Sequence, residues 1–163
     1  MASTALAAGM EAPAFELPNQ DGSVIRLADF RGERNVLIYF YPRAGTPGCT
    51  KQACNLRDTS ADYAAADTVV LGISTDPVRR LANFRAKHGL QFDLLSDADH
   101  RVAAAYGVWG PRLFLGRIFQ GVARSSFVVD KRGVLRHTIP KAKPGSHHQD
   151  VLDFVLANSA DWD

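Results

Sequence analysis

The stretch "VLIYFYPRAGTPGCTKQACNLRD", residues 36–58, decides the fold that the sequence predicts. Its apolar run, 36–41, is too short for an ordinary helix and is rich in β-branched and aromatic residues, which indicates a buried central strand. A second run of the same character, "TVVLGIS", spans 68–74. The segment 50–66 between the two runs has the composition of a helix. Together they predict a right-handed βαβ unit with parallel strands.

The flanking sequence extends this unit into an α/β fold, with a central mixed sheet flanked by helices. Capping and turn signals predict three further helices, a late antiparallel hairpin and a minor N-terminal hairpin. Their ranges are 76–89, 100–107 and 146–159 for the helices, 125–130 with 134–139 for the late hairpin, and 15–27 for the N-terminal one. Residues 108–123 fit no element cleanly. Either they form a long apolar loop beside a functional site, or they form an irregular strand or loop packed on the core.

Length and charge set the class of protein. The chain has 163 residues, 46% of them apolar, which suits one packed domain over 1–163. We expect residues 1–10 to be a loose N-terminal end. The 19 basic and 17 acidic residues are spread along the chain, so we expect no nucleic-acid partner. Since no apolar run approaches the about 18 residues of a membrane span, we expect a cytoplasmic protein without a membrane partner.

Both cysteines of the chain, Cys49 and Cys54, lie in the deciding stretch. Cys49 falls where the first buried strand gives way to the helix, the sheet edge at which reacting groups collect in α/β proteins. The first turn of a helix stabilises a thiolate, which is the nucleophilic form of cysteine. Thr46 can present a hydroxyl to the same pocket, and Pro42 and Pro47 stiffen the turn.

Pro42, Thr46 and Cys49 spell P-x-x-x-T-x-x-C after an apolar strand, which resembles the active-site signature of peroxiredoxins, the AhpC/TSA-like proteins. A second cysteine five residues later, in "TPGCTKQACNLRD", resembles the bacterioferritin-comigratory, or peroxiredoxin Q, branch. The resemblance covers most of the chain. It includes "PAFELPNQDGSVIRLADFRG", "GISTD", "YGVWG" and "GVARSSFVVDKRGVLR" in the order of that branch.

The resemblance implies a thioredoxin-like fold and a thiol peroxidase. Cys49 would be the peroxidatic cysteine, which reduces hydrogen peroxide or an organic hydroperoxide and becomes sulfenic acid. Cys54 would condense with it to a disulfide, which thioredoxin or a similar dithiol protein would reduce. Arg124 matches the arginine with which the family supports the thiolate and binds the peroxide, and Pro42 shapes the pocket wall. No cofactor is implied.

Helix geometry puts a condition on this cycle. Residues five apart on a helix are separated by about 140° around the axis and about 7.5 Å along it. A disulfide needs Cα atoms within about 7 Å, so the helix must unwind locally between Thr50 and Cys54. Gln52 is a departure from the branch, which often has glutamate at that position.

Other interpretations stay open. Cys54 can be an inert residue on the buried face of the helix, which leaves a one-cysteine peroxidase. The cysteine pair can also serve a redox sensor that does not turn over.

A thioredoxin-type oxidoreductase is disfavoured, because such enzymes use C-x-x-C. A monomer is expected, and pairing of two chains through the apolar residues of 108–123 is the alternative.

A metal site is a weaker interpretation. His147, His148 and Asp150 are compatible with metal binding, but the same residues are typical of a solvated helix start. Zinc held by Cys49, Cys54 and distant histidines such as His88 or His137 lacks the usual ligand spacing. We therefore expect no metal.

Overall fold

The computed structural model describes residues 6–162. Its nine strands are β1 (Glu16–Pro18), β2 (Val24–Arg26), β3 (Asn35–Phe40), β4 (Thr68–Ser74), β5 (Asp93–Ser96), β6 (Trp109–Phe114), β7 (Arg117–Val122), β8 (Ser125–Val129) and β9 (Leu135–Ile139). The five α-helices in the same residues are α1 (Pro47–Asp58), α2 (Ser60–Ala65), α3 (Val78–His88), α4 (Arg101–Ala105) and α5 (His147–Asn158). Short 3₁₀ turns lie at Leu27–Phe30 and Ser159–Asp161.

The central sheet has the strand order β5-β4-β3-β8-β9. Strands β3, β4 and β5 are parallel, and β8 and β9 are antiparallel to their neighbours. The predicted mixed sheet flanked by helices is confirmed, as are the βαβ unit and the N-terminal hairpin, β1–β2.

Strand β3 lies at the centre of the sheet, and all six of its residues are buried. Successive side chains point to opposite faces of a strand. Leu37 and Tyr39 join a core cluster with residues of α1, α3 and α5, whereas Val36, Ile38 and Phe40 join a second cluster with α4 and the N-terminal hairpin. Both faces of β3 are therefore covered, and its carboxyl end leads directly into the turn that carries the cysteine motif.

The predicted crossover helix, 50–66, is two helices. Helix α1 begins earlier than predicted, at Pro47. Proline has no backbone N–H, which costs no hydrogen bond at this position because N–H groups of the first turn have no partner within the helix. It ends at Asp58, and the C-cap residue Thr59, with φ of −106° and ψ of 9°, separates α1 from α2. The Thr59 hydroxyl donates to the Asn55 carbonyl at 2.9 Å, and such local bonds compete with a regular helix.

The segment 108–123 is neither a long loop nor part of the packed core along most of its length. Strands β6 and β7 pair as an antiparallel ribbon, and Leu113, Leu115 and Ile118 are 73%, 87% and 75% exposed. The two-residue turn has positive φ at Leu115 (52°) and Gly116 (77°), as in a type I′ hairpin turn. Leucine is an unusual first residue for that turn, so the sequence gives no hairpin signal here.

The N-terminal segment contacts β9. Residues 1–5 of the predicted loose end lie outside the described residues. The Gly9 N–H donates to the Leu135 carbonyl at 2.7 Å, and the Leu135 N–H donates to the Met10 carbonyl at 2.8 Å. Among residues 6–162, no helix is both long enough and apolar enough to span a bilayer.

We expect Gly72→Ala to destabilise the protein. Gly72 pairs with Tyr39 in the sheet, and a Cβ at this position would lie 2.9 Å from the buried Tyr39 ring. Overpacking of this kind costs about 1–3 kcal/mol, measurable as a fall in the free energy of urea unfolding. Gly110→Ala is the matched control, because no atom lies within 4 Å of its added Cβ. Equal stability of the two variants would contradict the packing described for β3 and β4.

Candidate active site

The turn between β3 and α1 is held by a carboxylate that follows β4. The Ala44 N–H donates to Asp76 Oδ2 at 2.7 Å, and the Ser74 hydroxyl donates to the same oxygen at 2.8 Å. Asp76 is buried. The helix predicted over 76–89 begins later, because Pro77 occupies the N-cap position and α3 begins at Val78. Asp76 instead fixes the turn that leads to Cys49.

Cys49 is a free thiol in the first turn of α1, and only 1% of the residue is exposed. Arg124, just before β8, donates from Nη2 to Cys49 Sγ at 3.3 Å. The sulfur thus has a guanidinium donor beside it and lies in the first turn of a helix, where backbone N–H groups have no partner within the helix. The structure therefore brings Arg124, a residue predicted for the site, into direct contact with the Cys49 sulfur.

Gly48 and Gln52 define where the guanidinium lies. Arg124 Nη1 donates to Gln52 Oε1 at 2.7 Å. A Cβ at position 48 would lie 3.1 Å from Arg124 Nη2, so glycine leaves the room that the guanidinium occupies. Two contacts, one to Cys49 and one to Gln52, thus fix the plane of the Arg124 side chain.

A histidine continues this set of contacts into the protein. Gln52 Nε2 lies 3.2 Å from His147 Nδ1, and His147 Nε2 is in hydrogen-bond contact with the Ser126 hydroxyl. Burial is the main cause that lowers the pKa of His147 to about 4, with the neighbouring His148 and Arg124 charges acting in the same direction. His147 is therefore a neutral imidazole at pH 7.

Thr46 and Pro42 lie in the turn itself. Thr46 occupies the N-cap position of α1, and its hydroxyl donates to the Arg43 carbonyl at 2.8 Å. Within residues 6–162 this hydroxyl makes no hydrogen bond to Cys49. Pro42 is exposed at the start of the turn. Both residues therefore belong to the turn that leads to the cysteine, and among the described residues the hydrogen bond to its sulfur comes from Arg124.

Cys54 is a free, half-buried thiol on the same helix as Cys49. Helix α1 runs unbroken from Pro47 to Asp58, so both cysteines belong to regular helix. Five helical residues separate their Cα atoms by about 7.5 Å along the axis alone. The structure is thus the state with both thiols free and the helix intact.

Comparisons with known proteins agree with the site. The sequence profile described as the AhpC/TSA family matches residues 8–138. Peroxiredoxin Bcp of Escherichia coli K12 is 48% identical over 150 residues, which cover 92% of this chain and 96% of the relative. The chain belongs to the AhpC/TSA family. The peroxiredoxin resemblance noted in the sequence is confirmed.

Solved structures of peroxiredoxins share the fold. Peroxidoxin BcpB of Mycobacterium tuberculosis superposes with a TM-score of 0.83 at 38% identity, covering 93% of this chain and 97% of that one. Peroxiredoxin Q of Xanthomonas campestris gives a TM-score of 0.86 at 30% identity, covering 93% and 98%. The predicted thioredoxin-like fold of the peroxiredoxins is confirmed. This AhpC/TSA protein is an oxidoreductase, a thiol-dependent peroxidase.

The site of this peroxiredoxin contains residues that sequence reasoning missed. The sequence marks Gln52 only as a departure from the branch and gives no signal for Ser126. For His147 the sequence suggests a metal ligand or part of a solvated helix start, but its two ring nitrogens face Gln52 and Ser126. In the described part of the chain, no cluster of three or more His, Cys, Asp or Glu residues could hold a metal. One signal was available, because His147 shares a helical face with buried Val151.

We expect the stability of the protein to fall as pH drops from about 6.5 to about 4, in part through His147. In that window the unfolded chain protonates this histidine and the folded chain does not, so acid favours unfolding. The largest effect is on the order of 3 kcal/mol. Urea unfolding at several pH values measures it.

The variant His147→Gln should lose this part of the pH slope, whatever its stability at pH 7. His148→Gln is the matched control on the same helical turn and should keep the slope. An unchanged slope in His147→Gln would show that His147 does not titrate differently in the folded and unfolded chains.

Proposed function

We propose that this peroxiredoxin reduces hydrogen peroxide and organic hydroperoxides with Cys49 as peroxidatic cysteine and Cys54 as resolving cysteine. The observation that carries the proposal is the 3.3 Å contact between Arg124 Nη2 and Cys49 Sγ at the start of α1. A guanidinium beside a cysteine at a helix N-terminus is the environment in which a thiol is reactive rather than inert.

The first step oxidises Cys49. The thiolate attacks the terminal oxygen of ROOH, an S–O bond forms as the O–O bond breaks, and the RO⁻ that leaves takes a proton to become ROH. Arg124 can donate to the oxygen on which charge develops, and removal of one such donor typically costs about 10²–10³ in rate. Thr46 supports the same step, because its hydroxyl hydrogen is given to Arg43 and its remaining lone pairs can accept the hydrogen of ROOH.

The second step forms the disulfide. The Cys54 sulfur attacks the sulfur of the Cys49 sulfenic acid, the S–S bond forms, and water leaves. Helix α1 must open for this step, because a disulfide needs Cα atoms within about 7 Å. Opening between Thr50 and Cys54 breaks the Gln52 contacts, and Asn55, whose Nδ2 donates to the Pro144 carbonyl at 3.2 Å, lies directly after the opened segment. The cycle therefore alternates between an intact helix that binds peroxide and an opened helix that resolves.

A one-cysteine peroxidase or a redox sensor is the alternative. The unbroken α1 over both cysteines favours it, since the intact helix keeps Cys54 apart from Cys49. In that case an external thiol, and not Cys54, would reduce the sulfenic acid or read its formation.

The expected reductant is thioredoxin or a similar dithiol protein, because an intramolecular disulfide is reduced by thiol–disulfide exchange. A single chain contains both cysteines, so a monomer is sufficient for the cycle. The exposed apolar tip of β6–β7 is the surface through which a weak dimer would form. Two free thiols suit a reducing compartment, and we propose the cytoplasm.

Serine variants separate these functions. Cys49→Ser should abolish peroxide-dependent NADPH oxidation in an assay coupled to thioredoxin and its reductase, because no sulfenic acid can form. Cys54→Ser should undergo one oxidation, accumulate sulfenic acid that dimedone labels in mass spectrometry, and stop cycling with thioredoxin.

Each other outcome reassigns a role. Peroxidase activity in Cys49→Ser would overturn the proposed nucleophile. Undiminished thioredoxin-driven cycling in Cys54→Ser would support the one-cysteine enzyme, and a single stoichiometric oxidation of the wild type would support the sensor.

A further inference from the structure

We propose that His147 is a positioning residue of the peroxidase site, which acts through Gln52 to fix the guanidinium of Arg124 against the Cys49 sulfur. This inference rests on the proposed function of Cys49. It assigns a role to a histidine that is far from the cysteine motif in the sequence and that does not touch the sulfur.

The direction of every hydrogen bond in this network follows from one fact, that a guanidinium only donates. Arg124 Nη1 donates to Gln52 Oε1 at 2.7 Å, which turns the amide nitrogen of Gln52 toward His147. That nitrogen must donate, so His147 Nδ1 is the acceptor and carries no hydrogen. The imidazole proton then lies on Nε2, where the Ser126 hydroxyl accepts it.

The lone pair on His147 Nδ1 therefore selects one orientation of the Gln52 amide. If the amide flipped, its NH₂ group would face the Arg124 donors, and its oxygen would face His147. The Arg124 contact would then set two donors against each other, which is costly in a buried site, and His147 could keep its contact only by moving its proton from Nε2 to Nδ1. Gln52, His147 and Ser126 are each only 1% exposed, so bulk water does not compete for these bonds and the network is strengthened by low polarity.

The hydrogen-bond network requires that His147 be neutral. The charges that act on its ring are those of Arg124, His148 and Asp150, and the titratable Tyr39 ring lies 6.0 Å from it, centroid to centroid. A protonated ring would donate from Nδ1, force the Gln52 amide to flip and add a positive charge near Arg124. The neutral ring avoids all three effects and leaves the guanidinium in place.

The four residues come from different elements, which explains why the network can position a side chain. Gln52 lies on α1, His147 on α5, Ser126 on β8, and Arg124 directly before β8. Helix α5 is tied to α2 separately, by the bond from the Tyr63 hydroxyl to the His148 carbonyl at 2.6 Å. When α1 opens to resolve the sulfenic acid, only Gln52 leaves. His147 and Ser126 remain as a fixed acceptor to which Gln52 returns when the helix forms again.

The test measures the rate constant for oxidation of Cys49 by hydrogen peroxide in a rapid-mixing experiment. His147→Phe keeps the ring shape and removes the acceptor, and Gln52→Met keeps the length and removes the amide. Each should lower the rate constant by about 10–100-fold, the effect of misplacing a reacting group by about 1 Å. His148→Phe is the matched control and should react like the wild type.

A double-mutant cycle separates positioning from general destabilisation. Since both residues act through the same guanidinium, the variant with His147→Phe and Gln52→Met together should be no slower than the slower single variant. Multiplied losses, or a wild-type rate in folded His147→Phe, would overturn the proposal.

A third variant gives a readout that does not depend on activity. Gln52→Glu replaces the amide donor with a second acceptor, so His147 must supply the hydrogen between them. Its pKa, about 4 in the wild type, should rise, and NMR titration of the ring protons measures the change. An unchanged or lower pKa would contradict the assigned hydrogen-bond direction.

Failure of this inference is distinguishable from failure of the proposed function. If the wild type itself does not react with peroxide, the proposed function fails. If the wild type reacts and His147→Phe reacts equally fast, only this inference is removed.

Discussion

The contact between the Arg124 guanidinium and the Cys49 sulfur is the interaction on which the rest of the site depends. Cys49 is buried, and a buried sulfur anion is unfavourable unless an opposite charge and oriented donors stabilise it. The residue directly before β8 supplies the guanidinium, and the turn after β3 supplies the start of α1. Because Asp76 holds that turn to the end of β4, the three central strands together determine where the sulfur and its cation meet.

In the proposed cycle, helix α1 has to satisfy two opposite requirements. Peroxide reduction requires α1 intact, since its first turn and Gln52 hold the sulfur and the guanidinium in place. Resolution by Cys54 requires that helix to open. Local opening is easiest where a helix has weak helix formers and few fixed contacts, and the start of α1 contains Pro47 and Gly48. Helix α5 and strand β8 carry the fixed part of the network, so opening of α1 leaves the remaining site residues in position.

Much of the fold was predictable because strong local signals agreed with the tertiary structure. Strand β4 matches its apolar run residue for residue, and β3 differs from its run by one residue at each end. The β6–β7 ribbon was not predictable, because Leu115 takes a positive φ that leucine rarely adopts. In the site, the motif pointed to Cys49 and the family resemblance pointed to Arg124. The His147 network was missed because its partner Gln52 lies 95 residues away in sequence, and no local pattern encodes such a contact.

The central claim, that Arg124 makes the Cys49 sulfur reactive, is tested most directly by the rate constant for oxidation of Cys49 by hydrogen peroxide in Arg124→Met. We expect a fall of about 100-fold or more, because this side chain supplies both the charge beside the sulfur and a donor to the peroxide oxygen. Arg112→Met, which removes an exposed arginine from the β6–β7 ribbon, should react at the wild-type rate. A folded Arg124→Met variant that reacts as fast as the wild type would contradict the account.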